Sequence, residues 1–114
     1  MTTDELAALL ERDEVALLDV RSAEEYEGLA GYPCDPAQGH IPEAVNIDVA
    51  EIAEAGDGVA ALLRERGVDT GGRIVCSCHS GSRSAYAVAA LLAAGVPAEN
   101  YEGSWHEWSR RGSS

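Results

Sequence analysis

Three cysteines, three histidines and eight arginines hold most of the reactive chemistry open to this chain. One stretch concentrates them: Arg73-Ile74-Val75-Cys76-Ser77-Cys78-His79-Ser80-Gly81-Ser82-Arg83-Ser84. It opens as an apolar run rich in β-branched residues, turns through small residues, and continues from Ala85 to Leu92 in a helical pattern. That order predicts strand, tight loop, helix, with Cys78 where the strand ends. Such a loop aims several backbone N–H groups at one point, and the helix adds the positive end of its dipole. A thiol placed there ionises more readily than a free one, helped by those dipoles and by Arg83. Cys78 is therefore the candidate nucleophile; the competing reading is a buried structural thiol.

The neighbouring groups each have two readings. Cys76, two residues back on the strand, is either a core residue or a resolving thiol that protects Cys78 from overoxidation. Cys34, between Pro33 and Asp35, is either a plain loop residue or a second thiol able to reach Cys78. His79 either tunes the thiolate or faces solvent. His40 fits a turn, and His106 fits the surface. Asp19 and Arg21 flank the end of an earlier apolar run, where open α/β sheets place ligand contacts; a structural ion pair is the alternative. Trp105 and Trp108 serve packing, with Trp105 also placed to line a cleft. Metal chemistry is not expected, since Cys76-x-Cys78 with His79 is too tight for a four-ligand site.

These groups must be positioned by regular elements, and the chain supplies them. Thr2 to Arg12 reads as an amphipathic helix with Thr2 and Glu5 at capping-box spacing. Val15 to Val20 is a short, nearly all-apolar run that suits a strand buried on both faces. Ser22 to Glu27 repeats the capping-box spacing through Ser22 and Glu25. Gly28 to Gly39 is a Gly/Pro-dense loop, followed by a short strand over Ala44 to Ile47. Asp48 caps a helix over Val49 to Ala55. Gly56-Asp57-Gly58 breaks the pattern, and Val59 to Arg66 resumes it until Gly67. After the helix that follows Cys78 comes a last strand at Ala98 to Tyr101, then a short helix holding both tryptophans. Strands alternating with helices predict an α/β fold with a mostly parallel sheet covered on both sides.

With 114 residues the chain has room for one domain and its core. Eight basic residues, every one an arginine, against 20 acidic ones leave a net charge of −12. So acidic a surface argues against nucleic acid or an anionic membrane as partner. No apolar run approaches membrane-spanning length, and the start, Met1-Thr2-Thr3-Asp4-Glu5, has no secretory pattern. An odd cysteine count without such a pattern predicts free thiols in a reducing cytoplasm.

In their order these pieces resemble a single-domain rhodanese, a family of sulfurtransferases. The matching stretches are Leu18-Asp19-Val20-Arg21 with Glu25-Tyr26, Gly39-His40-Ile41-Pro42 through Asn46, Cys78 to Ser84, and Tyr101-Glu102-Gly103-Ser104-Trp105-His106-Glu107-Trp108. The resemblance implies a rhodanese-like α/β fold across residues 1–114. It also implies that Cys78 takes a sulfane sulfur from a donor, carries it as a persulfide and passes it to an acceptor. His79, Ser80, Gly81, Ser82, Arg83 and Ser84 would then surround the anionic sulfur and the donor's leaving group, with Arg21 near the donor's charged end and Asp19 tying down the loop. Thiosulfate, cyanide, thiols or a partner protein are the implied donors and acceptors, with no cofactor. Glu43 departs from the family, which usually has glycine after the Gly-His-Ile-Pro run, and the Gly28 to Gln38 loop is longer than the shortest members need.

Two other classes stay open. One is a sulfur carrier or regulatory module with little turnover of its own. The other is a phosphatase or arsenate reductase, which the loop length disfavours. Those enzymes place five residues between cysteine and arginine; Cys78 and Arg83 have four between them, and Ser77 stands at the phosphatase position.

Overall fold

The computed structural model describes residues 1–33 and 35–111. The elements alternate as expected: α1 (Thr3–Glu11), β1 (Ala16–Asp19), α2 (Ala23–Tyr26), β2 (Val45–Asn46), α3 (Val49–Ala55), α4 (Val59–Glu65), β3 (Ile74–Ser77), α5 (Ser82–Ala93), β4 (Glu99–Asn100) and α6 (Ser104–Trp108). The strands form one sheet in the order β2-β1-β3-β4, and every pairing is parallel. The register sets Leu18 beside Cys76 and Asp19 beside Ser77, so β1 and β3 end together. Arg21 and Cys78 are thereby delivered to the same rim.

Side chains alternate across a strand, and the core divides accordingly. Leu18, Ile74 and Cys76 face one layer with Ile52 of α3, Leu63 of α4 and Ala87 and Leu91 of α5. Leu17 and Val75 face the other with Leu6 of α1 and Trp105 of α6, joined by Ile41, Ala44 and Tyr101. Helices thus cover both faces, which is why the two central strands read as continuous apolar runs.

Local signals explain most boundaries. The Thr2 hydroxyl accepts from Glu5 N–H, while Ser22/Glu25 and Asp48/Glu51 form complete capping boxes on α2 and α3. Gly56–Gly58 does break the helical pattern, as a 3₁₀ turn that begins with Gly56 at φ +52° between α3 and α4. One expectation needs correction: α5 starts at Ser82 rather than Ala85. Gly81, at φ +98°, turns the chain so sharply that Ser82, Arg83 and Ser84 already form the first helical turn.

Glu43 occupies the left-handed region at φ +69°. A side chain there costs about 1–2 kcal/mol that glycine avoids. Glu43→Gly is therefore expected to stabilise the fold by roughly 1 kcal/mol, allowing for the extra unfolded-state freedom of glycine. An upward shift in the urea midpoint would show it; a lower midpoint would mean that the Glu43 side chain contributes more than its backbone strain removes.

Candidate active site

At the carboxyl end of β3 the chain passes from Ser77 into the loop and straight into α5, and Cys78 sits at that junction with 1 % of its surface exposed. Its Sγ accepts a hydrogen bond from Gly81 N–H at 3.1 Å and lies 3.4 Å from the Ser84 hydroxyl. Burial pushes the thiol's pKa up. The Ser84 hydroxyl, then the backbone N–H groups of Ser84, Gly81 and Ser80, pull it down, and together they win: the pKa lies below the ordinary 9.0. The leading groups of the cradle are thus neutral dipoles, with Arg83 adding only its charge from further away.

The loop keeps this shape because a distant segment holds its other side. Cys78 N–H donates to the Ser104 hydroxyl at 3.0 Å, and that hydroxyl donates to the Tyr101 carbonyl at 2.8 Å. Trp105 N–H and His106 N–H donate to the carbonyls of Cys78 and His79, both at 2.9 Å. The two carbonyls are therefore engaged with α6 while later amides turn toward the sulfur. Ser104 is fully buried and held at φ +51°. Gly81 approaches the same segment so closely that a Cβ would lie 2.7 Å from the Glu102 carbonyl oxygen. The Asn100 side chain caps the arrangement, donating to the Gly81 carbonyl at 3.2 Å.

Arg83 leaves the cradle and grips Glu25 of α2 with two bonds, at 2.7 and 3.0 Å. That pair, chiefly the hydrogen bond from Arg83, holds the Glu25 carboxyl at about 2 against its usual 4.5. Because the folded pKa is depressed, the stabilisation is complete above about pH 4.5 and is lost as pH falls toward 2. Arg83→Ala is accordingly expected to remove most of this acid-dependent loss and to lower stability near pH 7 by about 1–2 kcal/mol. Urea midpoints for both proteins between pH 3 and 7 provide the measurement; parallel curves would sink the idea.

Arg21 does not open toward a donor. It is 1 % exposed, its guanidinium pairs with the Asp19 carboxylate, donates to the Gly39 carbonyl at 2.6 Å and lies 5.4 Å from the Trp105 ring centre. Asp19 receives both the side chain and the backbone N–H of Arg21. The pair therefore ties down the 28–39 loop rather than the Cys78 loop. Cys76 is fully buried; burial, then the neighbouring Cys78, pushes its thiol up to about 12, which leaves it protonated and unreactive at neutral pH. Cys34 lies outside the described residues. Ser80 and Ser82 are exposed around the loop, and Gly81 and Ser84 are buried in it.

His79 enters a cluster that no local motif announces. Its ring stacks on Tyr32 at 3.8 Å and meets His106 edge-on at 5.4 Å. Its Nε2 lies 3.0 Å from Asp35 Oδ2; Asp35 also pairs with Arg110 at 3.0 Å, and His106 Nδ1 lies 3.6 Å from its Oδ1. The Asp35 carboxylate is almost wholly enclosed. Among the described residues, Asp35, His79 and His106 form a group with ligand atoms within 4.8 Å of one another. The spacing of Cys76, Cys78 and His79 could not foretell it, because the members come from three separate segments. His40 does hold a turn, stacked on Tyr26 at 3.7 Å with Nδ1 2.8 Å from the Tyr26 carbonyl oxygen. A cavity of about 770 Å³ opens at the opposite end of the sheet near Val15, Val68 and Arg73, away from Cys78. Among the described residues no helix is long and apolar enough to cross a membrane.

Known proteins resemble this chain in sequence and in fold. The rhodanese-like domain family matches residues 2–111. A protein of Mycobacterium tuberculosis that carries the name thiosulfate sulfurtransferase SseB is 42% identical over 102 residues, which are 83% of this chain and 35% of that protein. The sulfur carrier protein TtuD of Thermus thermophilus is 36% identical over 107 residues, 82% of this chain and 38% of that protein. A crystal structure of a probable thiosulfate sulfurtransferase superposes with a TM-score of 0.79 at 42% identity, covering 98% of this chain and 45% of the other. The chain thus spans less than half the length of these relatives. A four-strand parallel sheet, a cysteine loop leading into a helix and a match over nearly every residue leave one conclusion: the chain belongs to the rhodanese-like domain family, among relatives named as sulfurtransferases and a sulfur carrier.

Proposed function

We propose that the protein transfers sulfane sulfur through a persulfide on Cys78. The observation that carries this reading is a buried thiol whose pKa is nonetheless lowered by converging neutral donors. In the first half-reaction the Cys78 thiolate attacks the sulfane sulfur of a donor. With thiosulfate, a new S–S bond forms at Sγ while the donor's own S–S bond breaks, and sulfite leaves with that electron pair. In the second, cyanide or a thiolate attacks the outer sulfur and Cys78 departs as thiolate, ready for another donor. The amides of Ser80, Gly81 and Ser84 and the Ser84 hydroxyl would hold the negative charge as it moves one atom outward along the persulfide. His79, Ser82 and Arg83 shape the loop, and Arg21 supports it from below through the 28–39 segment.

A net charge of −12 repels a dianion at long range, which favours a low-molecular-weight persulfide or a protein persulfide as donor over thiosulfate. Enclosure of Cys78 and the likeness to a sulfur carrier favour a second reading, a cytoplasmic carrier that accepts sulfur readily and releases it to one protein partner. Intact mass after brief incubation with thiosulfate or a persulfide, followed by cyanide, tests both. One added sulfur that cyanide quickly removes supports the enzyme; one that persists in cyanide supports the carrier. No added sulfur from any donor would defeat both readings. Hydrolysis of an aryl phosphate dependent on Cys78 would restore the phosphatase.

A further inference from the structure

We propose that Asp35, His79 and His106 form a binding site for a divalent transition ion such as zinc, one residue away from the nucleophile and independent of the sulfur-transfer reading. The donor set is two imidazole nitrogens and one carboxylate oxygen, the set from which zinc sites with an open fourth position are built. The three groups come from the 28–39 loop, the Cys78 loop and α6, so the fold brings them together rather than local sequence. Tetrahedral ligands at zinc distances stand about 3.3 Å apart. Here His79 Nε2 is 3.0 Å from Asp35 Oδ2, and His106 Nδ1 is 3.6 Å from Asp35 Oδ1.

Two details mark this as a place that seeks a cation. Arg110 Nη1 lies 3.0 Å from Asp35 Oδ1 and 3.2 Å from His106 Nδ1. A guanidinium nitrogen can only donate, so the His106 Nδ1 lone pair faces it. The arginine therefore already sits as a positive charge between two of the three ligands. Second, His79 Nε2 is enclosed and close to a carboxylate yet lacks the alignment of a hydrogen bond. A metal bound in place of the Arg110 nitrogen would use that nitrogen as its third ligand. The Arg110 side chain is about a third exposed.

The competition supplies the test. Calorimetric titration with zinc chloride would use a Cys34→Ser/Cys78→Ser background, so that neither thiol can supply a ligand. The expected result is one zinc per chain, weakened ~tenfold or more by either His79→Ala or His106→Ala. Arg110→Ala should tighten binding by a similar factor, because it removes the resident cation. Cobalt in the same protein should give the intense visible bands of a four-coordinate ion, absent from His106→Ala. His106 lies toward the surface, and urea midpoints of the His106→Ala and Arg110→Ala variants confirm that each is folded before it is titrated. No zinc binding at micromolar concentration, binding indifferent to His106→Ala, or binding weakened by Arg110→Ala would each overturn the proposal.

Discussion

Cys78→Ser is expected to lower sulfur transfer by at least about a thousandfold while leaving the fold intact. A hydroxyl in this cradle stays protonated at neutral pH, since dipoles that favour a thiolate cannot make up the far higher pKa of an alcohol. Nor can another thiol take over from Cys76. It lies two residues back on the strand, in the layer packed under α5, with its pKa at about 12. Cys76→Ala should therefore keep most of the transfer rate and cost only about 1 kcal/mol of stability, the loss of one small buried side chain. Steady-state transfer to cyanide in the two variants, with urea midpoints beside it, separates the roles. Equal loss in both would replace the single nucleophile with a two-thiol relay, and equal loss in Cys34→Ser would do the same.

The second large effect is expected at Gly81. Alanine there meets two obstacles at once: a backbone at φ +98° and the Glu102 carbonyl oxygen at 2.7 Å. Strain and overlap together should cost at least about 3 kcal/mol. The loss also reaches the chemistry, because the Gly81 amide is one of the groups that stabilise the thiolate. The acid limb of Cys78 alkylation against pH, which in the wild type falls below the ordinary thiol value, should move upward. Gly95→Ala is the control. Gly95 has φ +82° but nothing within 4 Å of its would-be Cβ, so the cost is about 1 kcal/mol with no change in thiol reactivity. If Gly81→Ala destabilised no more than Gly95→Ala, the close approach to Glu102 would carry no energetic weight.

The parts legible in the sequence are those written in neighbouring residues. Ser22/Glu25 and Asp48/Glu51 declare helix starts because a capping box closes within four positions. The runs Val15 to Val20 and Arg73 to Cys78 declare buried strands because both faces are covered, and the loop around Cys78 follows from the strand–helix switch. What stayed hidden depends on contacts across the fold. The start of α5 is masked by Ser82 and Ser84, weak helix formers that become helical once Gly81 and the Glu25–Arg83 grip set the first turn. Arg83 next to a cysteine reads as a partner for its charge, yet its acid lies 58 residues away. Arg21 at a strand end reads as a ligand contact, whereas burial beside Asp19 gives it a supporting role. The Asp35 cluster and the Ser104 clasp join segments far apart in the chain, and no spacing rule reaches them.

The clasp between Ser104–His106 and the Cys78 loop also bears on the order in which the protein is made. Cys78 is added to the chain 26 residues before Ser104, and until that segment folds back its N–H and carbonyl have no partners across the sheet rim. The loop amides are then free to turn outward to water, and the thiol behaves as an ordinary one. Its reactivity is acquired in a single late event, when the segment after β4 folds back onto the rim. The activated thiol is thereby a property of the completed fold, and alkylation of Cys78 at a fixed pH would follow the docking of that segment.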